Sequence, residues 1–235
     1  MLNSVFITAT GTEVGKTLVT AALTWQLRQV GKAVFSCKPM ATGFDMAHLP
    51  TTDTGILLTA QGMDCTIENI NTLTPWRYTE PISPHFAVMQ EEVDSDNTTT
   101  PKDVLVFCEN AMAHKGISLI EGAGGVMTPL LNGFTQADLI EKLHIPAIVV
   151  TGNYLGAISH CLCTLEAMQA RGIDVCAVIV NATQEDGTSL QQMQTTLAQH
   201  MKKAIPLFTV PYISHKKDTE IWKQLPLLTE IFSHE

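Results

Sequence analysis

The sequence contains no apolar run that approaches the ~20 residues a membrane-spanning helix needs, so no membrane partner is expected. It also lacks a basic excess. Lys and Arg number 14 against 23 Asp and Glu, for a formal net charge of −9. That balance argues against a nucleic-acid partner, since nucleic acid is itself a polyanion. No Cys-x-x-Cys pair occurs among Cys37, Cys65, Cys108, Cys161, Cys163 and Cys176, and no histidine spacing completes a zinc pattern. The apolar, helix-like stretch around Cys161 and Cys163 predicts buried free thiols there, because free Cys behaves as a small hydrophobe. The first residues lack the basic start, apolar middle and small-residue cleavage site of a secretory signal, so the cytoplasm is the expected compartment. Internal repeats and low-complexity linkers are missing as well.

What the chain does contain is a compact-protein composition. Hydrophobic residues make up 45% and charged residues 16% of the 235 positions, which suits a folded domain rather than a disordered segment. Short apolar runs alternate with longer helical patterns. Strands are predicted at Val5–Ile7, Ala33–Cys37, Ile117–Ile120, Ala147–Val150, Val175–Val180 and Phe208–Val210. Helices are predicted from Lys16 to about Val30 and over Ala137–Leu143, Ala157–Arg171 and Ser189–Met201. This alternation implies an α/β fold with a mainly parallel sheet covered by helices on both faces. The segment from Asp45 to Lys102 shows no clear strand, and Asp94–Pro101 has the composition of a solvated loop.

The chemistry begins at Thr12-Glu13-Val14-Gly15-Lys16-Thr17, which lies after a strand and opens a helix, the order a phosphate-binding loop requires. Unpartnered N–H groups at a helix start carry partial positive charge and favour a phosphate. Gly15 lets the backbone approach it, Lys16 reaches the β- and γ-phosphates, and Thr17 offers a hydroxyl to Mg²⁺. The general pattern asks for glycine where Thr10 stands. Glu121 ends the strand Ile117–Ile120, at the sheet edge where ligands bind in open α/β folds, and Gly122-Ala123-Gly124-Gly125 follows. Mg²⁺ needs only one or two carboxylates, so Glu121 is a candidate ligand; the alternative is a strand-ending turn with an incidental acid. Asp53 is, from local sequence, a helix-start acid. Lys38, taken alone, reads as a surface lysine after a strand.

Several separated motifs resemble the ATP-dependent dethiobiotin synthetases. They are the loop ending at Thr17, Lys38-Pro39-Met40-Ala41-Thr42-Gly43, Glu80-Pro81-Ile82-Ser83-Pro84-His85, Glu121–Gly125 with Thr128-Pro129-Leu130, Leu155–His160, and Asn181. Together they cover nearly the whole chain. The resemblance implies a single P-loop domain over residues 1–235 that works as a homodimer. The implied reaction adds CO₂ to 7,8-diaminononanoate (7,8-diaminopelargonate). A carbamate forms on one amine, ATP phosphorylates it, and the other amine closes a ureido ring, giving dethiobiotin, ADP and phosphate.

By motif, the resemblance assigns Lys38 as the active-site lysine and Thr42 as a substrate contact. It gives Thr17, Asp53 and Glu121 to Mg²⁺. Around ATP it sets Glu13, Val14, Gly15, Lys16, Thr17 and Leu18, then Asp53 and Glu121 to Gly124 (with Gly122 and Ala123). Asn181 with Ala182 would face the base, and Val210, Pro211 and Tyr212 would close its pocket. In the family, the segment at Leu155–His160 holds the substrate carboxylate across the dimer interface. There Ser159 replaces a common Asn, a frequent Tyr of the late helix falls at Met193, and Tyr154 is the residue expected to compensate. Ala9 and Gly11 also replace the family's usual Gly and Asp. A competing expectation is a nucleotide-switched P-loop ATPase that positions partners. Such proteins carry a further lysine early in the loop, and no Lys or Arg precedes Lys16 here.

Overall fold

Six apolar segments pair in parallel because at least one helix lies between each strand of the main sheet and the next along the chain, and returns it. The computed structural model describes residues 2–92, 98–214 and 220–232; Asp94–Asn97 of the expected loop lie outside them. In chain order the first elements are β1 (Ser4–Ala9), α1 (Lys16–Gln29), β2 (Val34–Cys37), β3 (Met40–Ala41), α2 (Asp53–Gln61), α3 (Ile67–Leu73), β4 (Trp76–Arg77), α4 (Pro84–Glu91) and α5 (Pro101–Met112). Then follow β5 (Ile117–Glu121), β6 (Pro129–Leu131), β7 (Phe134–Thr135), α6 (Gln136–Leu143), β8 (Ala147–Thr151), α7 (Ala157–Ala170), β9 (Val175–Asn181), α8 (Leu190–His200) and β10 (Leu207–Val210).

The main sheet has the order β10-β9-β8-β1-β5-β2, and every pair in it is parallel. Successive strand side chains point to opposite faces. Val5, Ile7, Leu119, Ile148 and Ile179 pack with α1, α2, α3 and the C-terminal turns around Trp222. Phe6, Ile120, Val149 and Val178 pack with α5, α6, α7 and α8. Burial on both faces explains why the strands are continuously apolar rather than alternating.

Every expected strand and helix outside residues 45–102 is present, with ends shifted by a few residues at most. Within 45–102 the sequence reading falls short. The segment holds α2, α3 and α4, and a short strand, β4, that pairs with β3; α5 begins at its end. The sites where helices begin explain the miss. Thr52, Thr66 and Thr100 each accept a backbone N–H from the first turn that follows, so threonines that resemble loop composition are helix caps. The thiol expectation is half corrected. Cys161 is buried but Cys163 is exposed, since a step of two residues turns a helical side chain by about 200°. Among the described residues, no helix is long and apolar enough to cross a membrane.

Candidate active site

The site forms at the C-terminal ends of β1, β2 and β5. In register, Ile7 lies level with Glu121 and Cys37 level with Ile120. The phosphate loop, Lys38 and Glu121 therefore emerge side by side.

Gly15 begins α1 with φ 95° and no side-chain cap. A Cβ there would collide with the amide of Asn181, whose Nδ2 donates to the Val14 carbonyl at 3.0 Å. The loop backbone is thus held from the C-terminal end of β9, while the N–H groups that open α1 have no side-chain cap. Glu13 is also left-handed, with φ 57°. Lys16 is buried and donates to the Gly11 carbonyl at 3.0 Å. Burial, together with the neighbouring Lys38, lowers its ammonium to about 8 against an ordinary 10.5.

Three side chains meet beside Lys38. Thr17 Oγ1 lies 2.8 Å from Asp53 Oδ1 and 2.6 Å from Glu121 Oε1. Lys38 Nζ bonds to Asp53 Oδ2 and reaches Glu121 Oε1 at 3.0 Å. Burial alone would lower the pKa of Lys38, but the two carboxylates outweigh it and hold the ammonium well above its usual range. Burial would likewise raise Asp53; Lys38 and Thr17 outweigh it and keep the carboxylate ionised. Glu121 is fully buried, and its Oε2 has no hydrogen-bond partner. An orphaned buried carboxylate oxygen is costly, and it marks a place where a cationic ligand would be favoured.

A cavity of about 940 Å³ opens over this cluster. Of the residues expected around ATP and substrate, Glu13, Gly15, Lys16, Thr17, Leu18, Lys38, Thr42, Asp53, Ala123, Gly124, Asn181, Ala182 and Pro211 line it. Glu121 and Gly122 sit just beneath, against Phe6 and Gln136. Val14 and Val210 are buried; Val210 contributes its carbonyl to the Ala182 N–H. Tyr212 is exposed and not on the cavity wall.

Ser159 and Tyr154 are not brought to this cavity within one chain. Ser159 is exposed on the first turn of α7, and the Tyr154 hydroxyl pairs with His160 Nδ1 at 2.9 Å. Met193 is fully buried in the core and has no place in a site. Sequence reasoning missed Thr183 and Ile213, which line the cavity. It also missed Asn153, whose Oδ1 accepts the N–H groups of Thr183 and Gln184 at 3.0 and 3.1 Å. An Asn two residues past a buried strand was the available signal.

The far wall is Pro81–Pro84. Its position follows from the short parallel pair of β3 with β4. Beyond that pair, Phe44 N–H donates to the Tyr78 carbonyl at 2.9 Å and Gly43 N–H to the Glu80 carbonyl at 3.1 Å. Thr42 and Pro81 are thereby drawn to the same rim.

The fold resembles that of a chain of the Aquifex aeolicus MinC:MinD cell division protein complex, at TM-score 0.57 and 12% identity, over 94% of this chain and 86% of that one. A ParA family ATPase from Chlorobium tepidum matches at TM-score 0.53 and 14% identity, over 90% of this chain and 86% of that one. The signal recognition particle receptor FtsY of Elizabethkingia anophelis matches at TM-score 0.52 and 13% identity, but this chain spans only 65% of its length. Parallel sheet, glycine-bounded loop and buried lysine together define a P-loop nucleotide-binding protein. A family model described as an AAA domain matches residues 3–231. The chain is 36% identical to the ATP-dependent dethiobiotin synthetase BioD of Methylobacterium nodulans, over 85% of this chain and 89% of that protein. It is 37% identical to the protein of the same name from Acidiphilium cryptum, over 86% and 89%. The chain belongs to the ATP-dependent dethiobiotin synthetase family.

Proposed function

We propose that this chain forms dethiobiotin from 7,8-diaminononanoate and CO₂ at the expense of ATP, as a cyclo-ligase. The observation that carries the proposal is the meeting of Lys16, Thr17, Lys38 and Asp53 at one cavity, with Glu121 just beneath them. The first two belong to the triphosphate. The third is a buried, firmly protonated lysine that a simple nucleotide switch does not need. The relatives at 36–37% identity bear the synthetase name, whereas the MinD and ParA likenesses at 12–16% identity concern the fold. The switch reading is therefore not favoured.

In this reading the loop Glu13–Leu18 wraps the phosphates, with Lys16 against the β- and γ-phosphates. Asn181, Ala182, Pro211 and the backbone near Val210 and Tyr212 hold the base. Mg²⁺ fits Thr17, Asp53 and Glu121. Among the described residues no group of three or more His, Cys, Asp or Glu side chains is placed to share a metal, and Mg²⁺ asks for no more than one or two carboxylates plus waters. When bound, it would neutralise charge on the transferring phosphoryl group. Lys38 would lie against the carbamate and the γ-phosphate, where two anions must be brought together. Thr42 and the Ala123–Gly124 backbone would fix the carbamate in line with the phosphate. The wall Pro81–Pro84 would shield one side of an intermediate that hydrolyses readily.

We place the enzyme in the cytoplasm and propose that residues 1–235 act as one domain that works as a homodimer. Exposed Ser159 and half-buried Tyr154, beside the 98% exposed Leu155, would then serve the substrate carboxylate in the partner's site. The test is phosphate release from ATP, Mg²⁺, bicarbonate and the diamine, with each omitted in turn. Release that ignores both diamine and bicarbonate would sink the ligase reading.

A further inference from the structure

Lys38 does more in this arrangement than face a substrate. Its ammonium touches both carboxylates of the proposed metal set, and it shares Glu121 Oε1 with Thr17 Oγ1. A divalent ion held by Thr17, Asp53 and Glu121 would draw on the same two carboxylates. An ammonium and a dication against one pair of carboxylates would repel each other strongly in a buried site. We propose that Lys38 is a placeholder for the metal: the incoming dication displaces its ammonium from Asp53 and Glu121, and that displacement delivers the lysine to the cavity. The inference rests on the metal site proposed above.

Charge and access both fit an exchange. The two carboxylates together carry the charge that one dication neutralises in full. The displaced lysine is then an uncompensated cation, which an anion in the cavity would take up. Asp53 is 42% exposed at its side chain while Glu121 is sealed at 0%, so the ion has an open first ligand and a closed second one. The free Oε2 of Glu121 supplies an acceptor that Lys38 does not use. The lysine stem need swing only through its own flexible carbons, because Lys38 itself lines the cavity. The consequence is an order of events: before metal arrives, the lysine stays bound to protein carboxylates and is not available to an anionic substrate.

Mn²⁺ titrated into the nucleotide-free protein, followed by its electron paramagnetic resonance signal, tests this. Lys38→Gln keeps a polar side chain without the charge and should bind Mn²⁺ at least tenfold more tightly than the wild type. Adding Glu121→Gln to that variant should abolish the gain. Equal or weaker binding by Lys38→Gln, still lost with Glu121→Gln, overturns the placeholder and leaves the metal site standing. Binding that ignores Glu121→Gln overturns the metal site itself, and the placeholder with it. If Lys38→Gln fails to fold around its unpaired carboxylates, wild-type crystals soaked in Mn²⁺ without nucleotide decide the matter. Mn²⁺ at Thr17, Asp53 and Glu121 with Nζ withdrawn supports exchange; Mn²⁺ there with Nζ still on both carboxylates overturns it, and no Mn²⁺ there overturns the site.

Discussion

Lys16 and Lys38 sit in one cavity with opposite electrostatic fates. Lys16 donates to a backbone carbonyl, and burial pulls its pKa down; Lys38 gains two carboxylates, and they pull it up. The difference predicts distinct phenotypes. Lys38→Ala should bind ATP within a few-fold of wild type yet lose most of its turnover, on the order of a hundredfold or more for a group acting on developing charge. Equilibrium nucleotide binding beside kcat separates the two; equal losses in both would place Lys38 in the nucleotide site instead. Gly15 presents a different residue-scale constraint, being left-handed and packed against Asn181. Gly15→Ala should cost about 1–2 kcal/mol of backbone strain in the loop and lower ATP affinity at least tenfold. Calorimetry of ATP binding with a parallel melting curve would show whether the loss is local.

Individual elements owe their starts to capping chemistry that composition disguises. In α6, Thr135 and Asp138 cap each other reciprocally, and Asp138 also takes a hydrogen bond from Arg171 at 2.8 Å. The Thr135 hydroxyl and N–H, then Arg171, hold the Asp138 carboxyl at about 2 against an ordinary 3.8. A carboxylate depressed on folding stabilises above its unfolded pKa, and that stabilisation is lost as pH falls through the folded one. Asp138→Asn should therefore cost about 1 kcal/mol at pH 7. The gap to wild type should close between pH 3.8 and 2, as read by urea unfolding across that range. At the end of α4, Glu92 accepts from the Tyr78 hydroxyl at 2.7 Å and from the N–H and hydroxyl of Thr99 at 2.6 and 2.7 Å. These bonds tie down the strand that leads into the cavity wall. Glu92→Ala should lower stability by about 2 kcal/mol and raise KM for the diamine more than it lowers kcat. An unchanged KM would mean that the wall is held elsewhere.

The reading of α2 to α5 from sequence failed for the same reason that these caps succeed. Thr, Pro, Asn and Asp are loop residues by frequency and helix initiators by geometry, and only the packing of Leu57, Leu58, Ile70 and Leu73 on the sheet decides between the two. Lys16, Thr17 and Glu121 were legible because strand, turn and helix are adjacent along the chain. Asp53 was not legible from its neighbours. It reaches Thr17 because α2 packs beside α1, and that contact joins residues 36 positions apart.

Across the molecule, long-range ties join the segment after Glu220 to α1, the helix that the phosphate loop opens. Gln26 on α1 is buried; its amide donates to the carbonyls of Leu225 and Pro226 at 3.3 and 2.9 Å and accepts from Leu228 N–H at 2.8 Å. Gln26→Ala strands those backbone groups. It should destabilise the protein by about 2–3 kcal/mol and open the segment after Glu220 to limited proteolysis. Cleavage at the wild-type rate would show that Trp222 and Ile231, packed in the same core, suffice to hold it. The insertion of β5 between β1 and β2 could not be inferred from order along the chain, because sequence neighbours β1 and β2 do not touch in the sheet.

That insertion turns the sheet into a vernier for the chemistry. Glu121 faces Lys38 only because Ile7 pairs with Glu121 and Cys37 with Ile120. Sliding β5 by one residue would lift the carboxylate about 3.3 Å along the strand and flip it to the opposite face. Length changes in the turn before Ile117 should therefore be more damaging to catalysis than most substitutions on the cavity wall.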